Sequence, residues 1–128
     1  ALMRRYWSHD ENSILTAQTN LANCLADLGR HDEALVLRRV IFSRRVATLG
    51  VSDECTILSG SNLVLSLLKL ELWGEAKALL RDPLLPEAQR SLGCEHQLTL
   101  TLRQRLASAF ANSPERTRDD VLEAETIM

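Results

Sequence analysis

The chain has 128 residues, enough for one domain, and its 45% hydrophobic and 25% charged content suits a soluble packed core. A net charge of −2 gives no basic face for nucleic acid. No apolar stretch reaches the length of a bilayer span, since the longest, Leu63 to Leu70, is broken by Ser66 and Lys69. No secretory leader is visible after Arg4-Arg5.

Ala1 to Trp7 reads as the end of a preceding helix in a chain that begins in mid-pattern. A first full helix is expected from about Ser13 to Leu28, with Ile14, Leu21, Cys24, Leu25 and Leu28 on one apolar side. Gly29 supplies a left-handed cap at its end. A second helix follows from about Asp32 to Thr48, with Ala34, Leu37, Val40 and Ile41 as its apolar face. Acidic residues in its first turn complement the helix dipole. Ala22 and Ala34 are small enough to let the two backbones approach as an antiparallel hairpin.

The third helix is expected from about Glu54 or Cys55 to Leu70, and the fourth from about Gly74 to Leu80. Pro83 and Pro86 interrupt the fourth, because an internal proline costs about 3 kcal/mol. A break at residues 81–85 and a short helix restarting with Pro86 at its first position and ending near Ser91 follow from this. A fifth helix spans about Leu98 to Ala111. A sixth runs from Thr117, a cap after Asn112-Ser113-Pro114-Glu115-Arg116, to Met128. Val121, Leu122 and Ile127 on that last helix would lack cover unless the chain continues or a partner caps it.

The first hairpin is written twice. Asn20-Leu21 returns as Asn62-Leu63, Leu25 as Leu67, Leu28 as Leu70, Glu33-Ala34 as Glu75-Ala76 and Leu37 as Leu79, each at an interval of 42. A worn third copy begins at Thr99, with Leu106-Ala107 in place of Leu63-Val64 at an interval of 43. Self-similarity at about 20–50 residues marks a stack of units that bury their apolar faces against one another. The units are about 13–50, 55–93 and 98–128, with 1–8 closing whatever precedes them.

These motifs resemble the tetratricopeptide repeat, in the longer kinesin-light-chain variety. The recurring Leu49-Gly50 and Leu92-Gly93, followed by polar loops and Thr56 or Thr99, carry the likeness together with Asn-Leu-Ala and Gly-Arg-x-x-Glu-Ala. It covers nearly the whole chain. The second unit departs from it at Glu71-Leu72-Trp73-Gly74, which lacks the Gly cap, and the third has Arg105 where Asn is expected. The resemblance implies an all-α, right-handed solenoid of about three antiparallel helix pairs. It implies a protein-interaction module whose first helices line a concave groove for a peptide or helix of another protein. By position that groove would include Thr16, Thr19, Asn20, Asn23 and Asp27, then Leu58, Ser61, Asn62, Leu65 and Lys69, then Thr101, Gln104, Arg105 and Ser108.

Asn20 and Asn62 can each donate and accept toward an extended peptide backbone, or equally bridge adjacent units. Arg105 beside Lys69 would favour an acidic ligand. Leu58, Leu65, Leu68 and Leu72 would be left bare if the array were instead a permanent structural subunit or assembly factor in a large complex. Arg38-Arg39 and Arg44-Arg45 read as a solvated helix face.

Cys24 reads as a core residue, and Cys24, Cys55 and Cys94 have no metal-binding spacing. Their odd number without pairing fits a reducing intracellular compartment, the cytoplasm before an organelle. Cys94-Glu95-His96 offers too few ligands for zinc, and no nucleophile elbow, phosphate loop or paired carboxylates appear. The expectation is therefore no enzyme and no cofactor.

Overall fold

The computed structural model describes residues 2–112, with side chains described from Glu11 onward. All regular structure among the described residues is helical. The expected sixth helix, its Thr117 cap and Val121, Leu122 and Ile127 lie outside them.

Helix α1 runs Leu2–Asp27, α2 His31–Leu49, α3 Glu54–Lys69, α4 Trp73–Leu79, α5 Leu85–Leu92 and α6 Gln97–Asn112. The separation expected between residues 1–7 and a helix starting near Ser13 does not exist: α1 is one helix of 26 residues. Residues 8–13 contain neither Gly nor Pro, so nothing there stops helix propagation. Between α4 and α5 the chain makes a wide turn over Leu80–Leu84, with Asp82 in extended conformation (φ −158°, ψ 118°) ahead of Pro83. The expected proline break is thus narrowed to one residue, and helical geometry is recovered at once on its far side. Asp53 caps α3 by accepting from the Cys55 amide at 2.8 Å.

The written repeat is also a repeat of backbone geometry. At the end of α1 the amides of Leu28, Gly29 and Arg30 donate to the carbonyls of Cys24, Ala26 and Leu25. At the end of α3 the amides of Leu70, Glu71 and Leu72 donate to Ser66, Leu68 and Leu67, each partner shifted by 42. Gly29 has φ +79°, and Glu71, its counterpart, adopts φ +61° without the freedom of glycine. The turn survives the loss of its Gly because its hydrogen bonds and the helices on both sides over-determine it.

The core sits around α3. Ile57, Leu63, Val64 and Leu67 of α3 pack with Leu35 of α2, Ala76 of α4, Leu80 and Leu84 of the wide turn, Ala88 of α5, and Leu102, Leu106 and Phe110 of α6. Gly60 lets α3 approach closely here: a Cβ on it would come within 2.3 Å of Leu84 and 2.9 Å of Phe42, so those side chains would have to shift. Among the described residues, no α1 side chain belongs to this cluster. Helix α1 packs on α2 through Leu15 and Ala22, both buried, against a helix that presents buried Ala34, Leu35 and Ile41.

The apolar face expected for α1 is corrected by this arrangement. Ile14, Leu21, Cys24 and Leu28 are exposed and Leu25 is half-buried. Cys24 is not a core residue. The small-residue side with Ala22 allows closer approach to α2 than the leucine side would, and the leucine side is turned outward. Val40 on α2 is likewise exposed.

Candidate functional site: a polar seam across α1, α3 and α6

Two arginines organise the polar face that crosses the bundle. Arg38 of α2 is 5% exposed. Its guanidinium donates to the Asn62 carbonyl at 3.0 Å, to the Ser66 hydroxyl at 2.7 Å and to Asn23 Oδ1 at 3.1 Å. One side chain therefore ties α1 and α3 to α2. Arg105 of α6 donates to both the carbonyl and the hydroxyl of Ser61. The two guanidiniums thus grip successive residues, Ser61 and Asn62, of the same turn of α3.

All these acceptors are neutral. Burial lowers the pKa of Arg38, and the charge of Asp27 partly opposes that. Burial also lowers the pKa of Arg105, and repulsion from Arg38 adds to it. The seam carries more positive charge than its direct hydrogen-bond partners balance, in surroundings that screen it less than water does.

Arg38 corrects the reading of Arg38-Arg39 and Arg44-Arg45 as a solvated face. Arg38 and Arg45 are buried, Arg45 donating to Asn12 of α1, while Arg39 and Arg44 are exposed. Arg39 pairs with Glu75 across α2 and α4, its second contact at 2.8 Å, and Arg44 lies 3.7 Å from Glu11. Helical spacing places Ala34, Arg38, Ile41 and Arg45 on one side, so two arginines share the face that packs inward.

Of the residues assigned to the groove, Asn23, Asn62 and Arg105 come into this seam. Asp27 is exposed and acts on Arg38 through its charge. Asn20, Lys69 and Ser108 are exposed and Leu65 is half-buried. Thr16 and Thr101 spend their hydroxyls on carbonyls of their own helices, Asn12 and Gln97. Thr19 does the same toward Leu15. Ser61 is buried beneath Arg105, not on the surface. Leu58 and Leu72 are exposed and Leu65 and Leu68 half-buried. Arg38 and Ser66 were outside the sequence-derived set. Their signal was an arginine in the apolar spacing of α2 and a hydroxyl within the leucine run of α3.

Asn20 and Asn62 occupy equivalent positions in different surroundings. A helix lies in front of α3, namely α2, and Asn62 is half-buried under it; Asn20 on α1 is exposed.

Among the described residues, no group of three or more His, Cys, Asp and Glu side chains is placed to hold a metal ion. No described helix is long and apolar enough to cross a membrane. No protein-family model matches the sequence, and no curated protein matches it either.

Proposed function

We propose that the chain is a tetratricopeptide-like array and a non-catalytic interaction module, whose polar face on α1, α3 and α6 receives an acidic extended peptide of another protein. The observation that carries this is the pair of arginines fixed on Ser61 and Asn62 with neutral partners, with exposed Lys69 about two turns further along the same side of α3. The recurrence of turn hydrogen bonds at the 42-residue interval supports the repeat reading. Exposed Asn20 and Ser108 offer donors and acceptors for a peptide backbone at the two margins. A rigid preformed groove saves the receptor's share of the ordering cost of binding.

Calorimetric titration with acidic, neutral and basic peptides of equal length tests it. Acidic peptides are expected to bind in the range of about 1–100 μM, more weakly at high salt. Lys69→Glu is expected to weaken them by about tenfold while costing at most ~1 kcal/mol of stability, because the side chain is exposed and the reversed charge opposes the dipole only at the last turn of α3. Equal binding of all three peptides, or indifference to Lys69→Glu, overturns the proposal.

A second reading, a permanent subunit of a large assembly, is favoured by the bare apolar side chains Leu58 and Leu72. It requires a complex that resists salt and loses affinity on Leu58→Ser.

A further inference from the structure

Helices α2 and α4 do not pack along their lengths; the Arg39–Glu75 pair joins them across the surface. Beside that pair a cleft of about 450 Å³ reaches α3. Leu63 and Leu67 of α3, both buried, form its floor. Phe42 of α2 and Leu79 of α4, both half-buried, form its walls. The second hairpin makes the opening. Helix α2 runs unbroken for 19 residues, whereas α4 ends after seven, because the chain turns at Asp82 ahead of Pro83. Ala78 lines the cleft with a methyl group, where a larger side chain would fill it. Phe42 and Leu84 both lie against Gly60, which holds the ring beside the wide turn.

The polar groups on the rim are unequally satisfied. Arg39 holds Glu75 through two hydrogen bonds, which raise the pKa of the guanidinium and lower that of the carboxyl. Both are charged, and each neutralises the other. Asp82 and Ser43 line the same cleft, and neither side chain makes a hydrogen bond or ion pair with another described residue. The cleft therefore carries one uncompensated carboxylate and one free hydroxyl above an apolar floor. A few convergent polar groups in an otherwise apolar cleft of this volume are the usual form of a small-molecule site.

We propose that this cleft binds a small organic ammonium with an apolar body, an aralkyl or branched alkyl amine. The body lies on Leu63, Leu67 and Phe42 and leaves water there. The ammonium donates to the Asp82 carboxylate and the Ser43 hydroxyl. An ammonium has donors and no acceptor, which matches a free carboxylate beside a hydroxyl. A carboxylate ligand of the same shape is disfavoured twice: Asp82 repels it, and Arg39, the cation on the rim, is committed to Glu75. A neutral apolar molecule gains nothing from Asp82. Because Asp82 is exposed, water screens its charge and the affinity is modest, with Kd about 0.1–1 mM. No residue of this cleft belongs to the Arg38–Arg105 seam, so amine binding here is independent of the peptide face.

Titration of the isotope-labelled full chain with phenethylamine, followed by amide chemical shifts, tests this. Saturable shifts are expected at residues 42–43 and 78–82. Phenylacetate, with the same ring and the opposite charge, is expected to bind at least about fivefold more weakly. Methylamine, with the charge and no ring, is expected to bind at least about tenfold more weakly. Asp82→Asn is expected to weaken phenethylamine about fivefold. Ala78→Trp, which fills the cleft from an exposed position, is expected to abolish the saturable shifts while helical circular dichroism stays unchanged. No saturable shift at these residues, phenylacetate binding as tightly as phenethylamine, or phenethylamine affinity that survives both substitutions overturns the proposal.

Discussion

Replacing Arg38 by alanine measures how much of the stack is held by one buried cation. The wild-type side chain makes three hydrogen bonds, to Asn62, Ser66 and Asn23, and joins three helices. Bonds to a charged donor each contribute about 1.5–3 kcal/mol, and they share one guanidinium, so the three do not add. Against them stands the cost of taking the guanidinium out of water, several kcal/mol per buried ion. What decides the sign in the variant is Ser66, which is fully buried and loses the Arg38 donor, a loss of about 1–3 kcal/mol. The emptied stem of Arg38 adds a cavity between α1 and α3. A net destabilisation of about 2–4 kcal/mol follows, since the remaining partners are neutral and no bare charge is stranded. At roughly 4 °C per kcal/mol for a chain of this size, the melting temperature should fall by about 10 °C. Urea unfolding followed by circular dichroism is the assay, with Arg39→Ala as the exposed control, expected to cost less than about 1 kcal/mol. Arg38→Met with Ser66→Ala removes both the charge and the orphaned hydroxyl while keeping volume, and should recover at least half of the loss. If Arg38→Ala costs no more than Arg39→Ala, or if the double variant is no better than the single one, the clamp does not hold the stack.

Two further outcomes follow from the same geometry. Glu71→Gly should stabilise the protein by about 0.5–1 kcal/mol, the left-handed strain of a non-glycine residue less the chain entropy glycine adds, checked by thermal melting; a loss of stability would mean the Glu71 side chain contributes more than its backbone costs. The Arg39 hydrogen bonds hold Glu75 below the ordinary carboxylate pKa, so its contribution is present above about pH 4.3 and is lost as pH falls through the lowered folded value. Melting measured from neutral to acid pH should therefore decline less steeply in Glu75→Gln than in the wild type, by at most ~1 kcal/mol for a pair this exposed and less in salt.

The helices themselves were legible because their signals are local. Gly29, Gly50 and Gly93 punctuate the chain where backbone φ is positive, and Pro83 sits at the kink. Residues 71–74 read as a departure without the Gly cap, yet residues 29 and 71 turn alike despite different side chains. The break before Ser13 was expected from the repeat boundaries, with 1–8 closing a preceding unit and 13–50 forming the first, but no Gly or Pro supplies a stop there. The polar seam was only partly legible: spacing along a helix names its faces, but not whether a neighbour's side chain reaches them, and Arg38 is that neighbour.

The amino-acid order alone pointed to helices over the described residues and to the turns at Gly29, Gly50 and Gly93, because caps and breakers act within a few residues. Only the tertiary structure decided that Cys24 and Leu21 face outward while Arg38 and Arg45 face inward. A helix with apolar residues on more than one side has two candidate interfaces. The choice between them depends on how closely a neighbouring helix can approach, and on whether its polar groups find partners there.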